Sequence, residues 1–277
     1  MSSFENDYLH LCRAAMLAEK YQYRNGACGT LFNTKIIHDF RYGFPLITTR
    51  KISFDIILGE FLWAIQGKTN IAELNSKIWV EFADKDGELG PIYGYQWTQW
   101  PDYDREMGKV NSYNQLELAI SHLKHDINSR RVVVSAWNVP HLKFMALPPC
   151  QPMFQLYHSV RRMGPYNHSH LNMTVFARSA DLVIGFPYDI GLYSLILITS
   201  AARLGLPPGK ITFLMTNCHV YEQHYEQLEI QLMRKPYTLP RLLHSIIPHT
   251  KFGGIDSSRY NLENYKHRGP LKFKLVP

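Results

Sequence analysis

One segment constrains the fold of this chain more than any other. Residues 53–66 are apolar at almost every position, so they lack the polar stripe that a surface helix presents to water. Ser53 suits the start of a helix and Gly67 follows its end, which predicts a helix buried on all sides. Glu60 lies in its middle, where a single carboxylate is costly unless it has a partner. Burial should raise the pKa of Glu60, and two interpretations stay open: a proton-transfer group or a structural hydrogen bond.

Helical and strand patterns share the remainder of the chain. Helices are predicted at residues 4–21, 113–127 and 190–204. Strands are predicted where β-branched and aromatic residues dominate, at residues 30–40, 131–137, 153–160, 171–177 and 211–215. This mixture predicts an α+β fold with helices packed on a sheet. Because no repeat, low-complexity linker or change of composition divides the sequence, we expect a single domain over residues 1–277.

The composition argues against several classes of protein. Hydrophobic residues make up 45% of the 277 residues and charged residues 19%, which is typical of a globular chain. The longest apolar run, at residues 190–202, is too short and too polar to cross a bilayer, and we expect no secretory signal. The four cysteines form no CxxC pair, so a reducing, cytoplasmic location is predicted. His219 and His224 have the wrong spacing for one helix face, and no metal is expected.

The net charge of +7 points to an anionic partner. The basic residues are scattered, so small phosphorylated or carboxylated ligands explain this charge as well as nucleic acid does. Arg130 and Arg131 lie between a predicted helix and a predicted strand, and Arg178 ends another strand. Such positions suit bidentate binding of phosphate, and surface salt bridges are the alternative.

Cys150 follows Pro148 and Pro149 and precedes a predicted strand. Two prolines present the next residue rigidly, which suits a nucleophile, although a buried structural cysteine is the commoner case. A nucleophilic thiol needs a positive neighbour to lower its pKa. The nearby sequence offers only His141 and Lys143, so a stronger partner must come from the fold.

Nine motifs occur in a characteristic order along nearly the whole chain. They are GFPLITT (43–49), EFLW (60–63), GKTNI (67–71), GPIYGYQW (90–97), SRR (129–131), SAWN (135–138), LPPC (147–150), RSAD (178–181) and HVY (219–221). In this order they resemble the thymidylate synthase family, and the set is far more specific than any single motif. The resemblance implies that family's fold, with a mixed sheet at the interface of an obligate homodimer.

The resemblance also implies roles for particular residues. Cys150 would add to C6 of a pyrimidine nucleotide, while Arg178 would bind the phosphate and help keep the thiol ionised. The other implied substrate-binding residues are Arg24, Ser179, Gln151, His219 and Tyr221, with Arg130 and Arg131 reaching across from a second subunit. The cosubstrate would be 5,10-methylenetetrahydrofolate, contacted by Trp79, Leu147, Asp181 and Gly185. Glu60 and Tyr93 would organise water and proton transfer.

This set of residues matches the chemistry that the resemblance implies. The C5 atom of a pyrimidine is a poor nucleophile until a thiolate adds at C6, which is covalent catalysis by an activated cysteine. C5 then attacks the methylene group of the folate, a general base removes the C5 proton, and tetrahydrofolate leaves to give an exocyclic methylene.

One departure from the family pattern concerns the base that is bound. Thymidylate synthases carry an asparagine after the Gly-x-Pro-Phe stretch, whereas this chain has Asp189 in that place. An amide suits uracil, while a carboxyl group accepts from the amino group of cytosine and shares a proton with its N3. An aspartate here is what the dCMP-specific relatives carry, deoxycytidylate hydroxymethylases among them. We therefore predict dCMP as the substrate, with Asp189 both catalytic and base-binding.

Further departures lie near the predicted site and concern the last step. They are Gln151 in place of histidine, Val80 and Phe82 beside Trp79, and Asn217 before His219. Water adding to the exocyclic methylene gives 5-hydroxymethyl-dCMP, and hydride from tetrahydrofolate gives 5-methyl-dCMP. The altered polar residues and the commonness of hydroxymethylation among cytosine-specific relatives favour the first outcome, which we predict, with DNA modification as its suggested use. Trp79 and a C-terminal tail (265–277) like the family's closing segment favour the second. Methylation of dUMP, a ribonucleotide substrate and an RNA-binding role are the remaining alternatives, and the predicted set of catalytic residues disfavours the last.

Overall fold

Each helix and strand predicted from the sequence has a counterpart in the structure, which also contains shorter elements that were not predicted. The computed structural model describes residues 4–74, 76, 78–104, 109–163 and 166–276. The helices are α1 (Phe4–Leu17), α2 (Phe54–Ile65), α3 (Tyr93–Thr98), α4 (Gln115–His125), α5 (Gly185–Arg203) and α6 (Tyr225–Leu232). The strands are β1 (Lys20–Tyr23), β2 (Gly26–Asp39), β3 (Trp100–Asp104), β4 (Lys109–Tyr113), β5 (Val133–Ser135), β6 (Met153–Met163), β7 (Tyr166–Ala177), β8 (Ala180–Asp181), β9 (Pro208–Tyr221), β10 (Arg241–His244) and β11 (Tyr260–Glu263).

The main sheet is mixed and is built around β9. Strands β1, β2, β9, β7, β6 and β5 lie side by side in that order, and β8 pairs with the end of β9. Strands β7 and β8 run parallel to β9, whereas the other neighbours are antiparallel. Helix α1 packs on β2 and β9, and α5 packs on β7 and β9. The predicted α+β fold with helices packed on a mixed sheet is therefore confirmed.

Most of helix α2 is buried, as its apolar sequence predicts, although Asp55 in its first turn is exposed. The Ser53 hydroxyl accepts a hydrogen bond from the Ile56 N–H at 3.4 Å, which caps the helix start. Phe61 and Ile57 are almost completely shielded from solvent. The helix packs on α5 where Gly191 leaves room, because a Cβ at residue 191 would lie 2.7 Å from the Ile57 Cδ1 atom. This packing holds Glu60 at a fixed position in the interior.

Two element boundaries differ from the sequence prediction in ways that matter for the site. Helix α5 begins at Gly185 rather than at residue 190, so Asp189 lies inside the helix. Strand β9 continues to Tyr221, well beyond the predicted 211–215, because its later residues pair with β2 although they are polar. A smaller difference is that α1 ends at Leu17, and residues 20–23 form a strand instead of the last helical turn.

The surface of the chain carries large apolar side chains on its strands. Those that are exposed include Phe32, Ile37, Val133, Met153 and Val160. Among the helices of the described residues, none has both the length and the apolar character that a membrane span requires.

Candidate active site

A cavity of about 490 Å³ opens between α2, α3, α5 and the loop at residues 147–151. Its wall includes these residues predicted from the sequence: Glu60, Trp79, Tyr93, Leu147, Cys150, Gln151, Gly185 and Asp189. These side chains come from widely separated parts of the sequence, and the fold brings them to one place. The cavity is of the size that holds a small-molecule ligand.

Cys150 lies in the wall on a loop that Arg178 holds in place. The Arg178 guanidinium donates to the carbonyl oxygens of Pro149 and Pro148, both at 2.8 Å. The Arg178 backbone N–H also donates to the Cys150 carbonyl at 2.9 Å. Arg178 is thus the positive neighbour that the local sequence lacked.

The electrostatic surroundings of Cys150 work in opposite directions. Burial and the Asp189 carboxylate raise the pKa of the Cys150 thiol to about 11, while Arg178 lowers it. The groups of this chain alone therefore keep the thiol protonated at neutral pH. A thiolate nucleophile needs either more positive charge nearby or loss of the negative charge on Asp189.

Glu60 has the partners that its buried position requires. Its Oε1 atom accepts hydrogen bonds from the Tyr93 hydroxyl at 2.5 Å and from the Trp79 indole N–H at 3.1 Å. Burial raises the pKa of Glu60, and the two hydrogen bonds lower it in part. The carboxyl group is in the cavity wall, so it is placed to exchange protons with a molecule in the cavity.

Asp189 faces the cavity from near the start of α5. Its Oδ2 atom accepts a hydrogen bond from the Gln151 amide Nε2 at 2.8 Å. Burial, with a smaller contribution from the Glu60 carboxylate, raises the pKa of Asp189 to about 8. The carboxyl group is therefore mostly neutral at pH 7, and a neutral carboxyl both donates and accepts hydrogen bonds.

Comparison with known proteins identifies the family. A sequence model described as thymidylate synthase matches residues 6–277. A thymidylate synthase from Corynebacterium aurimucosum is 38% identical over 216 residues, which is 77% of this chain and 76% of that protein. The chain belongs to the thymidylate synthase family. The family assignment made from the motifs is thus confirmed, and so is the expected type of fold.

Members of the thymidylate synthase family are folate-dependent C5 methyltransferases that use a nucleotide and methylenetetrahydrofolate and are usually dimeric. The chemistry assigned to this chain is accordingly one-carbon transfer of the thymidylate synthase type. Among the described residues, no group of three or more histidine, cysteine or acidic side chains is placed to hold a metal ion.

His219, the first residue of the HVY motif, lies near the end of β9. Its Nδ1 atom is 2.9 Å from the Asn217 Oδ1 atom, and the Asn217 amide donates to the Tyr23 hydroxyl at 2.9 Å. Because an amide oxygen only accepts, Nδ1 carries the hydrogen and Nε2 is left as an acceptor. Burial lowers the pKa of His219, which favours this neutral form.

Tyr23 was not predicted from the sequence. It lies just before the Arg24-Asn25-Gly26 turn, on a strand of only four residues, so its pattern gave no functional signal. The predicted Tyr221 lies at the end of β9, with its ring centroid 5.2 Å from that of His219.

Parallel pairing of β8 with β9 places Asp181 opposite His219. The Asp181 Oδ1 atom accepts from the backbone N–H groups of Val183 and Ile184, at 2.8 and 3.2 Å, and so shapes the turn into α5. Gly185 follows in the cavity wall, where an added Cβ would lie 3.8 Å from the Asp181 Cβ. Two of the predicted folate-binding residues are thus neighbours.

The predicted phosphate-binding residues are divided between two regions. Arg24 lines a second hollow with Phe82 and Leu147, both of which also line the main cavity, so Arg24 lies beside it. Ser179 is half-buried between β7 and β8. Arg130 and Arg131 line a different hollow near the end of α4, and a single chain does not bring them to the cavity.

The C-terminal tail reaches the cavity, where Leu275 forms part of the wall. The Lys274 carbonyl is 2.8 Å from the His224 Nε2 atom, and Phe273 lies 4.8 Å from the Arg50 guanidinium. The last residue of the predicted closing segment, Pro277, lies outside the described residues.

Proposed function

We propose that this chain transfers a one-carbon unit from 5,10-methylenetetrahydrofolate to C5 of dCMP and releases 5-hydroxymethyl-dCMP. The observation that carries the proposal is the Asp189 carboxyl in the cavity wall, where family members that act on uracil carry an amide. Its 2.8 Å hydrogen bond to Gln151 fixes the orientation of the group.

Cytosine suits this carboxyl better than uracil does. Cytosine presents an amino donor at N4 and an acceptor at N3, so a neutral carboxyl accepts from the first and donates to the second. An ionised carboxylate has only acceptors, and it would face the O4 acceptor of uracil. With the pKa of Asp189 raised to about 8, both charge states are populated near neutral pH, and the amino group of cytosine has an acceptor in each.

The proposed reaction begins at Cys150. The sulfur forms a bond to C6, the C5–C6 double bond opens, and C5 becomes the nucleophile. A neutral Asp189 removes one of the charges that oppose the thiolate, and Arg178 acts in the same direction. The phosphate-binding arginines add positive charge beside the site. After C5 has formed its bond to the one-carbon unit, its proton leaves by the route that Glu60 with Tyr93 provides. Tetrahydrofolate is expelled from the one-carbon unit in the same elimination, which leaves an exocyclic methylene on C5.

The cavity wall fits a reduced folate. Its lining includes the apolar side chains of Trp79, Leu147 and Leu275, which suit the flat ring system. Asp181, beside Gly185, supplies a carboxylate for the polar edge of the ring. The folate supplies the one-carbon group at the oxidation level of formaldehyde.

The last step decides between two products. In the proposed step, water adds to the exocyclic methylene on C5, the cysteine is expelled from C6, and the product carries a hydroxymethyl group. Methylation by hydride transfer is the second candidate, because Trp79 and Leu275 add apolar surface to the cavity wall and hydride transfer needs a site without water.

We further propose that the active form is a homodimer. Arg130 and Arg131 are exposed and do not line the cavity of their own chain, so in the proposed dimer each pair binds phosphate in the site of the partner. The exposed apolar side chains of the strands offer the surface for this contact.

The test of substrate identity is release of tritium from C5, which precedes the step that separates the two products. The enzyme is mixed with methylenetetrahydrofolate and either tritiated dCMP or tritiated dUMP. We expect release from dCMP at a kcat/KM at least about tenfold above that for dUMP. Cys150→Ala is the control for the covalent route and should release tritium from neither. Preferential release from dUMP would overturn the proposal.

A further inference from the structure

Gln151 and Asp189 are two departures from the family pattern that touch each other. The Gln151 amide donates to the Asp189 Oδ2 atom at 2.8 Å, and only 8% of Gln151 is exposed. We propose that Gln151 fixes which oxygen of Asp189 carries the proton, so that the carboxyl pairs with cytosine and not with uracil. This inference rests on the proposed function and assigns Gln151 as a positioning residue for base selection.

The polarity of the hydrogen bond from Gln151 determines which Asp189 oxygen carries the proton. A carboxyl oxygen that carries a hydrogen is a weaker acceptor than the carbonyl oxygen beside it. Because Gln151 donates to Oδ2, a neutral Asp189 keeps Oδ2 as the acceptor and places its proton on Oδ1. Among the described residues, Gln151 is the side chain that donates to this carboxyl.

The fixed proton makes the two bases unequal. A neutral carboxyl that is free to move its proton pairs with either base, by donating to N3 of cytosine or to O4 of uracil. With Oδ2 held as an acceptor, it matches the amino group of cytosine and opposes the O4 acceptor of uracil. With the proton on Oδ1, it matches the unprotonated N3 of cytosine and opposes the N3–H of uracil.

The direction of this preference follows from the proposed substrate. A carboxyl that pairs with cytosine has its accepting oxygen opposite the amino group on C4 and its protonated oxygen opposite N3. Because Gln151 holds Oδ2 as the acceptor, Oδ2 is assigned to the amino group and Oδ1 to N3.

The other titratable groups around the carboxyl do not replace this hydrogen bond. They are Glu60, Asp181, Cys150, Tyr93 and Tyr193, and they act on Asp189 through charge. Their fields influence whether Asp189 is protonated. The donor from Gln151 decides where the proton lies.

The experiment measures the dissociation constants of dCMP and dUMP by isothermal titration calorimetry, without folate, on the full chain. Gln151→Leu removes the donor, and Gln151→Glu replaces it with a group that shares a proton with Oδ2. Gln66→Leu, at the exposed end of α2, is the matched surface control. Thermal melting of each variant checks its fold.

We expect the wild type to prefer dCMP and the Gln66 variant to keep that preference. In Gln151→Leu the dissociation constant of dUMP divided by that of dCMP should fall about tenfold, since one hydrogen bond of fixed polarity is lost. Gln151→Glu should lower this ratio at least as far, because the affinity for dUMP rises relative to the affinity for dCMP. As a second readout, the infrared carbonyl band that Asp189→Asn abolishes should shift in Gln151→Leu.

Two results would overturn the inference in distinguishable ways. If the Gln151 variants weaken both nucleotides equally and keep the wild-type ratio, Gln151 is only structural, and the proposed function stands. If the wild type itself prefers dUMP, both the inference and the dCMP proposal fail.

Discussion

The substitution Asp189→Asn should stabilise the folded chain, and more so as the pH rises. The folded structure raises the pKa of this carboxyl from its usual 3.8 to about 8, chiefly through burial. A raised carboxyl pKa means that the folded state binds the proton more tightly than the unfolded state. The free energy of unfolding therefore falls as the pH rises from about 4 to about 8 and is constant above that range.

The size of this effect on the free energy of unfolding follows from the raised pKa of Asp189. Each pH unit inside this window costs about 1.4 kcal/mol, so the interval from pH 5 to pH 8 costs up to about 4 kcal/mol. Water in the cavity reduces this cost, and we expect about 2 to 4 kcal/mol. An asparagine at residue 189 carries no charge and so avoids this cost, and its amide oxygen still accepts a hydrogen bond from Gln151.

The assay is urea unfolding of the wild type and of Asp189→Asn at pH 5 and pH 8. One protein concentration is used throughout, because a dimer is expected. The stability of Asp189→Asn relative to the wild type should increase by about 2 to 4 kcal/mol between the two pH values. Asp55→Asn, on the exposed side of α2, is the control for a carboxylate outside the cavity. A difference that stays constant with pH would show that Asp189 ionises normally and would refute the argument for a neutral carboxyl.

Three further predictions test other parts of the site. Glu60→Gln should lower kcat for tritium release about 10² to 10⁴-fold while dCMP still binds, because it removes the proton-transfer group. Tyr23→Phe should raise KM by up to about tenfold with little change in kcat, because it frees the Asn217 amide that orients His219; steady-state kinetics measure this. Arg131→Ala and Cys150→Ala subunits should each be inactive alone. When they are mixed equally, about half of the dimers contain one of each and have one complete site of two, so about a quarter of wild-type activity should return if one subunit completes the other's site.

Each of these predictions has a result that contradicts it. Unchanged kcat in Glu60→Gln would make its bonds to Tyr93 and Trp79 purely structural. A Tyr23→Phe enzyme with lower kcat and unchanged KM would place Tyr23 in the chemical step instead of substrate binding. Mixed subunits that stay inactive would confine the whole site to one chain.

The buried helix α2 was predictable because its signal is local. Residues that are apolar on every face indicate burial, and Ser53 at its start is a sequence-level cap. The same segment also predicted that the Glu60 carboxylate needs a hydrogen-bonding partner. Its partners, Tyr93 and Trp79, were named from the family resemblance, but their convergence on one oxygen depends on how α3 and the 78–83 turns pack.

The contacts between distant segments were not predictable from local patterns. Gln151 and Asp189 are 2.8 Å apart, yet one follows the diproline loop and the other lies in α5. Strand β9 was predicted too short because Asn217 and His219 interrupt its β-branched pattern, and pairing with β2 compensates for this. Polar residues in a strand weaken the local signal at the place where a site requires them.

The most direct test of the central claim is the mass of the nucleotide product. The enzyme is incubated with methylenetetrahydrofolate and either dCMP or dUMP, and the nucleotides are separated and weighed by mass spectrometry. We predict that dCMP gains CH2O and that no dihydrofolate forms. A gain of CH2 with dihydrofolate would replace hydroxymethylation by methylation, and turnover of dUMP alone would contradict the assignment of Asp189 as a cytosine-binding residue.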